Sequence, residues 1–197
     1  TGGEGGMITT NNREIWSKIW SYKDHGKSWE SIHGQNHSLG FRWVHESFGT
    51  NGRMTEMQAA IGRIQLKRMD LWNKERCKNS KEIMSCFDNC PEFFRVPKPP
   101  IYLTHAWYKC YVFIRPEVFI KIGITRDQLI REFNENGIPC YSGSCSEVYL
   151  EKAFKDFNLR PKKRLPVAKE LGETSLMFQV HPGLDNLKVI FDQKLSI

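Results

Sequence analysis

One segment constrains the fold of this chain more than any other: residues 49–66, Gly-Thr-Asn-Gly-Arg-Met-Thr-Glu-Met-Gln-Ala-Ala-Ile-Gly-Arg-Ile-Gln-Leu. Its Asn51-Gly52 pair favours a tight turn, and Thr55 is well placed to cap a helix that runs well past Trp72. Apolar residues recur there at the helical spacing expected of a stripe packed in the core: Met57, Ala60, Ile61, Ile64 and Leu71. A turn that leads into a helix N-terminus exposes backbone N–H groups beside the Asn51 amide, which suits an anion.

The charge balance narrows the classes of partner. The 197 residues carry 29 Lys and Arg against 22 Asp and Glu, a net charge of +7. This excess fits a solvated basic surface, or a small polyanionic partner. The densest basic run, residues 160–164, lacks interleaved aromatic residues and any nucleic-acid motif, so we expect no nucleic-acid partner. No apolar run has the length of a membrane span and no signal-peptide pattern is visible, so we expect no membrane partner.

Cysteine and histidine usage argues against a metal site. The six cysteines include no C-x-x-C pair, so neither a zinc ribbon nor a thioredoxin-type motif is indicated. We expect them to be free thiols, which fits a reducing cytoplasm. Cys145 has no histidine patterned beside it, so we predict no cysteine nucleophile. Four histidines crowd one loop, but their spacing matches no metal signature: His25, His33, His37 and His45.

The first quarter of the chain combines one clear helix with a long irregular segment. Asn11 or Asn12 can cap a helix that reaches about Tyr22. Residues 23–52 then show no clear periodicity, although they are rich in large apolar side chains. Because that content argues against disorder, we expect the segment to be buried against another surface, either the remainder of the protein or a second subunit.

The second half has the texture of a small α+β unit. Pro97, Pro99 and Pro100 mark a stiff connection, and Thr125 with Gln128 forms a capping box that opens a helix. Further elements are predicted as strands at residues 108–114, 138–141 and 176–180, a short helix at 149–157, and a final helix capped by Asp185. These elements predict helices packed on a small sheet.

The 49–66 segment also resembles a known signature, G-x-N-x-R-M-T-E-x-Q-A-A-I-G, of the DegT/DnrJ/EryC1/StrS sugar aminotransferases. Residues 1–10, 165–169 and 181–184 resemble further landmarks of the same family, T-x-G-E-G-G, L-P-x-A and H-P-G-L. The resemblance implies a mixed α/β and α+β structure, the C-terminal portion of a fold type I aminotransferase that depends on pyridoxal 5′-phosphate (PLP). It implies three parts: residues 1–53 as the tail of the large PLP-binding domain with an interface loop, 54–90 as a bridging helix, and 91–197 as the small domain.

The activity implied by the resemblance is amino transfer, with PLP as the cofactor. The amino group, expected to come from glutamate, would pass to a keto carbon of a nucleotide-linked deoxysugar, for surface polysaccharide or glycan synthesis in the cytoplasm. In the family, the lysine that forms the Schiff base with PLP stands a few residues before the glycine run. Lys18, Lys23 and Lys27 all follow that run. We therefore expect the catalytic lysine upstream of Thr1, no catalytic residue in this chain, and no activity of the chain alone.

The resemblance also assigns binding residues and a homodimer. Asn51 corresponds to the family asparagine that contacts the PLP phosphate of the other subunit, and Arg53 stands beside it. His105 and Tyr108 lie at the entry to the first small-domain strand, near substrate, although packing of Trp107 and Tyr108 in the core is the simpler expectation. The loop at residues 141–149 departs from the His- and Pro-rich pattern of many relatives. Its hydroxyl and carboxylate groups can still bind sugar or amino donor: Tyr141, Ser144 and Glu147.

Two other classes of function remain open at this point. Some members of the family have histidine in place of the lysine and dehydrate keto sugars with PLP. Alternatively, the chain could be a non-catalytic binding or interaction module, with the long loop as its docking surface. The residue that precedes the glycine run would distinguish the first alternative, and salt-sensitive nucleic-acid binding would indicate a basic binding module.

Overall fold

The computed structural model describes residues 2–184 and falls into two compact units, Thr1–Met69 and Asp70–Ile197. The first unit contains helix α1, Arg13–Lys23, helix α2, Trp29–His33, and the start of helix α3, Glu56–Asp88. Asn12 caps α1 as predicted, because its side-chain oxygen accepts a hydrogen bond from the Ile15 N–H at 3.1 Å. The division into three parts predicted from the resemblance stays a prediction.

Helix α2 lies inside the segment that sequence periodicity left without structure. Ser28 caps it by accepting a hydrogen bond from the Ser31 N–H at 2.9 Å, and the Ser31 hydroxyl donates to the Val44 carbonyl at 3.1 Å. Isolated antiparallel bridges also pair Asp24 with Asn51 and residue 27 with residue 45. The segment is thus organised by short-range capping and backbone pairing, neither of which produces a periodic apolar pattern.

Helix α3 begins where the sequence predicts. The Thr55 hydroxyl accepts from the Gln58 N–H at 3.3 Å and the Gln58 side chain accepts from the Thr55 N–H at 3.1 Å, which forms a capping box. Its 33 residues extend well past Trp72.

The predicted burial of the apolar stripe at the start of α3 is wrong for this chain. Met57 and Leu71 are 77% and 59% exposed, and the other members of the stripe are exposed as well: Ala60, Ile61 and Ile64. Periodicity correctly identified an apolar face, but it carries no information on what covers that face. The apolar residues of α3 that are buried lie near its C-terminal end: Ile83, Met84 and Phe87.

An antiparallel sheet of four strands forms the centre of the second unit, in the order β1-β2-β4-β3. Its strands are β1, Phe94–Arg95, β2, Cys110–Ile114, β3, Cys140–Tyr141, and β4, Ser175–Phe178. Side chains of β2 alternate between buried and half-buried, as a strand with one face on the core requires. Cys110 and Cys140 are both paired with Phe178, so the central strand β4 has a cysteine on each side.

Helices α4, Pro116–Ile122, α5, Arg126–Glu135, α6, Lys152–Asp156, and α7, Pro166–Thr174, complete the second unit with a 3₁₀ turn, Val148–Leu150. The capping box of Thr125 and Gln128 is present at α5, and Leu129 and Phe133 are buried, as predicted. The strands predicted at residues 108–114, 138–141 and 176–180 are confirmed with shorter bounds. The predicted helix capped by Asp185 lies outside the described residues.

Aromatic packing dominates the core. The ring of Phe87 lies 4.8 Å from that of Phe94 and 5.3 Å from that of Phe178, and the ring of Phe133 lies 5.5 Å from that of Phe178. Every buried apolar side chain in residues 2–184 belongs to the second unit. Over the same residues, no helix has both the length and the apolar character that a bilayer crossing demands.

Candidate functional site

The predicted tight turn at Asn51-Gly52 is wrong: the chain there is extended, Asn51 forms an isolated antiparallel bridge with Asp24, and Gly52 has no positive φ. Residues 50–53, here called the Asn51 segment, are held by backbone hydrogen bonds. The Thr50 N–H donates to the Tyr22 carbonyl at 2.7 Å, and the Gly52 N–H donates to the Lys23 carbonyl at 2.9 Å. These hydrogen bonds lie on both sides of Asn51 and pair the Asn51 segment with the end of α1. Asn51 itself is exposed. Its backbone is therefore fixed while its side-chain amide faces outward.

Two glycines allow the end of α1 and the chain that leads to Asn51 to approach each other closely. Gly26 has φ +85, and a Cβ at this position would lie 1.7 Å from the Ser47 carbonyl oxygen. A Cβ on Gly49 would lie 2.5 Å from both the Gly26 nitrogen and the Tyr22 carbonyl oxygen. Any larger residue at either position would push the two segments apart, because the obstructing atoms belong to the backbone.

Arg53 and Lys27 share a buried carboxylate. The side chain of Asp24 is 5% exposed, and its Oδ1 lies 3.6 Å from the Lys27 ammonium and 3.6 Å from the Arg53 guanidinium. These separations are ion pairs but too long for hydrogen bonds, and Oδ1 has no hydrogen-bond partner among residues 2–184. Two positive charges against one negative charge leave a local excess of one positive charge next to Asn51.

This arrangement fits a phosphate group chemically. The exposed Asn51 amide and the Arg53 guanidinium, whose side chain is 56% exposed, both offer N–H donors at the surface. The sequence singled out Asn51 and Arg53, and both lie on the extended Asn51 segment. The sequence did not identify Asp24, because a single acidic residue after a helix gives no pattern.

Three of the predicted substrate-binding residues line one cavity of about 590 Å³ in the second unit: His105, Tyr108 and Ser144. Nδ1 of His105 accepts a hydrogen bond from the Trp107 N–H at 2.9 Å. Trp107 is 8% exposed, as expected of a core residue, but the expected packing of Tyr108 is wrong because its side chain is 77% exposed. Trp107 has a positive φ of 47 and lines the cavity together with His105 and Tyr108.

Ser144 is positioned by Tyr111, a residue that the sequence did not highlight. The Ser144 N–H donates to the Tyr111 hydroxyl oxygen at 3.1 Å, and Tyr111 lines the same cavity. A Cβ on Gly143 would lie 2.4 Å from the Tyr111 ring, so the loop is pressed against the tyrosine. Tyr141 lies on the edge strand β3, is 45% exposed and does not line this cavity.

Glu147 lines a separate cavity of about 460 Å³ that Ser144 also borders. Its carboxylate is buried and accepts hydrogen bonds from the Arg164 Nε at 2.8 Å, from a second nitrogen of Arg164, and from the Tyr149 hydroxyl at 2.5 Å. The Arg164 hydrogen bonds, followed by the Tyr149 hydrogen bond, lower the pKa of Glu147 to about 2. Burial, and then the bond to Glu147, raise the pKa of Tyr149 above its ordinary value.

The two buried cysteines, Cys110 and Cys140, act as packing residues. All six cysteines are free thiols. Burial raises the pKa of Cys110 and of Cys140 to about 12, so both remain protonated and behave as small apolar residues. The described part of the chain contains no cluster of three or more His, Cys, Asp or Glu side chains that could hold a metal ion.

The fold defines the class of protein. An aminotransferase from Psychrobacter cryohalolentis is 49% identical and superposes with a TM-score of 0.85 over 93% of this chain and 48% of its own. The structure of a GDP-4-keto-6-deoxymannose-3-dehydratase, 20% identical, superposes with a TM-score of 0.72 over 94% of this chain and 49% of its own. The architecture is accordingly that of about half of a fold type I aminotransferase.

The sequence defines the family more closely. The DegT/DnrJ/EryC1/StrS aminotransferase family matches residues 1–191, and the chain belongs to this family. GDP-perosamine synthase of Caulobacter vibrioides is 34% identical over 143 residues, which are 70% of this chain and 33% of the synthase. The chain spans about half the length of the curated relatives it matches.

Proposed function

We propose that this chain is the C-terminal half of a PLP-dependent aminotransferase that acts on nucleotide-linked deoxysugars. The whole enzyme would transfer an amino group from glutamate to a keto carbon of the sugar, in the cytoplasm, for surface polysaccharide or glycan synthesis. One observation carries the proposal: a chain that belongs to this family over residues 1–191 presents exposed Asn51 and Arg53 side chains on a segment held by backbone hydrogen bonds. The similarity to a GDP-perosamine synthase supports the substrate class.

We further propose that the active enzyme is a homodimer whose protomers have three parts, residues 1–53, 54–90 and 91–197. The first unit has no buried apolar side chain between residues 2 and 69. Its large exposed side chains include Phe41, Trp43 and Phe48, at 79%, 87% and 102% exposure, and the stripe at the start of α3. Exposed apolar area of this extent favours further protein surface as its cover, supplied by the rest of the chain and by a second subunit.

The proposed role of the Asn51 segment is to hold the cofactor phosphate. When bound, PLP supplies the electron sink that amino transfer requires. The Asn51 amide donates to a phosphate oxygen, and the Arg53 guanidinium adds positive charge beside it. The backbone hydrogen bonds on both sides of Asn51 fix its main chain before the anion arrives, which reduces the ordering entropy lost on binding. No residue of this chain is assigned as the catalytic lysine, which we propose lies before Thr1, and the chain alone is then inactive.

The proposed sugar or amino-donor site is the cavity lined by His105, Tyr108 and Ser144. An imidazole, a phenol and a serine hydroxyl together provide both donors and acceptors for sugar hydroxyl groups. Tyr141 does not line this cavity, so its proposed contact with substrate would be made outside it, from the exposed face of strand β3. Because Arg164 and Tyr149 already engage the Glu147 carboxylate, the geometry favours an indirect role for Glu147, which is to hold the loop that carries Ser144.

Assay of the intact protein tests the activity. We expect glutamate and a nucleotide-linked keto sugar to yield an amino sugar and 2-oxoglutarate, detected by mass spectrometry. Loss of water from the sugar without a retained amino group would indicate the dehydratase alternative, for which the present support is a shared fold alone. Neither reaction, together with no PLP absorbance, would contradict the proposal.

Substitution of Asn51 tests the site. Asn51→Ala should weaken PLP binding by roughly 10-fold, because one hydrogen bond to a charged group is lost. Asn51→Asp should weaken it further, since a carboxylate repels the phosphate. Asn89→Ala, at another exposed asparagine, is the matched control and should leave binding unchanged. Equal PLP affinity in all three variants and the wild type would remove Asn51 from the site.

A further inference from the structure

The carboxylate of Asp24 occupies an unusual position for a charged group. It lies at the end of α1, is buried, and faces two cations at 3.6 Å without a hydrogen bond to Oδ1. Buried carboxylates are ordinarily hydrogen-bonded, because water is no longer available to solvate them. An arrangement that costs solvation without full compensation calls for a reason other than stability.

We propose that Asp24 is a positioning residue that holds Arg53 in the orientation required to receive the phosphate of the cofactor. The inference rests on the proposed function of the Asn51 segment. It assigns to Asp24 no contact with the cofactor. Asp24 acts through Arg53, whose guanidinium it anchors on one side while the other side stays exposed.

The charges around Asp24 explain why an anchor is needed. Without the carboxylate, the Lys27 ammonium and the Arg53 guanidinium would repel each other. Arg53 is 56% exposed, so it would be free to swing into solvent, whereas Lys27, at 25% exposure, is more confined. With Asp24 in place, the group still carries one net positive charge, which leaves it attractive to an anion.

The backbone of Asp24 adds a second constraint on the Asn51 segment. Asp24 forms the antiparallel bridge with Asn51, while its side chain pairs with Arg53, two positions further along the chain. One residue thereby supports both proposed donor residues: it pairs with the main chain of Asn51 and with the guanidinium of Arg53. Such a shared support is what pre-organised binding geometry requires.

The variant Asp24→Asn separates positioning from charge by the sign of its effect. Loss of a negative charge would strengthen binding of any anion if charge alone mattered. If Asp24 positions Arg53, the same change weakens phosphate binding instead. The measurement is the affinity of the intact apoprotein for PLP relative to pyridoxal, which lacks the phosphate. We expect this ratio to fall about 10-fold in Asp24→Asn, with pyridoxal affinity unchanged.

A double-mutant cycle tests whether Asp24 acts through Arg53. Asp24→Asn should change the ratio in the wild-type background and have no further effect in Arg53→Met. Asp24→Glu keeps the charge and should retain most of the ratio, which a general loss of folding would not allow. A ratio that rises in Asp24→Asn, an additive cycle, or equal losses of PLP and pyridoxal affinity in both Asp24 variants would each overturn the inference.

The same titrations separate this inference from the proposed function. If Asn51→Ala leaves the ratio unchanged, the phosphate site itself is wrong and the inference falls with it. If Asn51→Ala lowers the ratio but Asp24→Asn does not, the site stands and the positioning role of Asp24 alone is overturned.

Discussion

Nε of Arg164 donates a hydrogen bond to Oε1 of Glu147 over 2.8 Å, although the two residues stand 17 positions apart in the sequence. The Tyr149 hydroxyl donates to the same oxygen and accepts a bond from the Leu165 N–H at 3.0 Å. Arg160 adds a bond from its Nε to the Tyr149 carbonyl at 2.9 Å. The loop between β3 and α7 is therefore closed by charge-assisted hydrogen bonds between its two ends.

This ion pair predicts a specific acid sensitivity. The pKa of Glu147 is about 2 in the folded state, against about 4.3 for an unfolded glutamate. A carboxyl group with a lowered folded pKa stabilises the protein above its unfolded pKa, and this contribution is lost as pH falls from about 4.3 towards 2. Melting curves of the intact protein between pH 6 and pH 3 should show this decline, and Glu147→Gln should show less of it.

An exposed pair provides the control for that experiment. Glu14 pairs with Lys18 one helical turn away at 2.7 Å, with both side chains about three-quarters exposed. Solvent screens such pairs, so Glu14→Gln should retain the acid profile of the wild type. An identical pH dependence in Glu147→Gln and the wild type would show that the Arg164 pair does not control acid stability.

The aromatic core predicts a large effect at Phe178. This side chain is 1% exposed on the central strand β4 and contacts the rings of Phe87 and Phe133. Phe178→Ala should destabilise the second unit by about 3–5 kcal/mol, from lost burial and the cavity left behind. Amide hydrogen exchange in β2 and β4, followed by mass spectrometry, would report it as faster exchange.

Phe157 supplies the matched control for the core prediction. It is 76% exposed, so Phe157→Ala should change the unfolding free energy by less than about 0.5 kcal/mol. Comparable acceleration of exchange in the two variants would contradict the assignment of the core to the sheet and its aromatic cluster.

Local chemistry made much of the fold predictable. Asn12, Thr55 and Thr125 each start a helix through the side-chain capping that their residue types favour. Strand β2 follows from its run of aromatic and β-branched residues. The five-residue helix α2 and the two-residue strand β1 were missed, since elements this short carry too few residues for a periodic signal.

The candidate sites were predictable only where a motif carried them. Asn51 and Arg53 lie in the family signature. The structure adds that both lie on an extended segment that is hydrogen-bonded to the end of α1. Asp24 and Arg164 depend on contacts between distant parts of the sequence, so no local pattern identifies them. Arg164 lies in the basic run of residues 160–164, where sequence alone suggests a solvated surface.

The last prediction concerns Gly26 and the backbone packing that holds the Asn51 segment in place. The Gly26 carbonyl accepts bonds from the Glu46 N–H at 2.9 Å and the Ser47 N–H at 3.2 Å, and a Cβ here would lie 1.7 Å from the Ser47 carbonyl oxygen. Gly26→Ala therefore cannot be accommodated without separation of the two segments. We expect faster amide exchange at residues 22–27 and 46–52, and weaker PLP binding by the intact protein.

Gly40 separates this steric effect from the cost of backbone conformation. Gly40 also has a positive φ, +113, but a Cβ there would meet nothing within 4 Å. Gly40→Ala carries only the conformational cost, about 1–3 kcal/mol, and should leave exchange at residues 46–52 and PLP affinity close to those of the wild type. If both variants behaved alike, close packing at Gly26 would not be what holds the Asn51 segment. Another contact would then have to fix the position of Asn51.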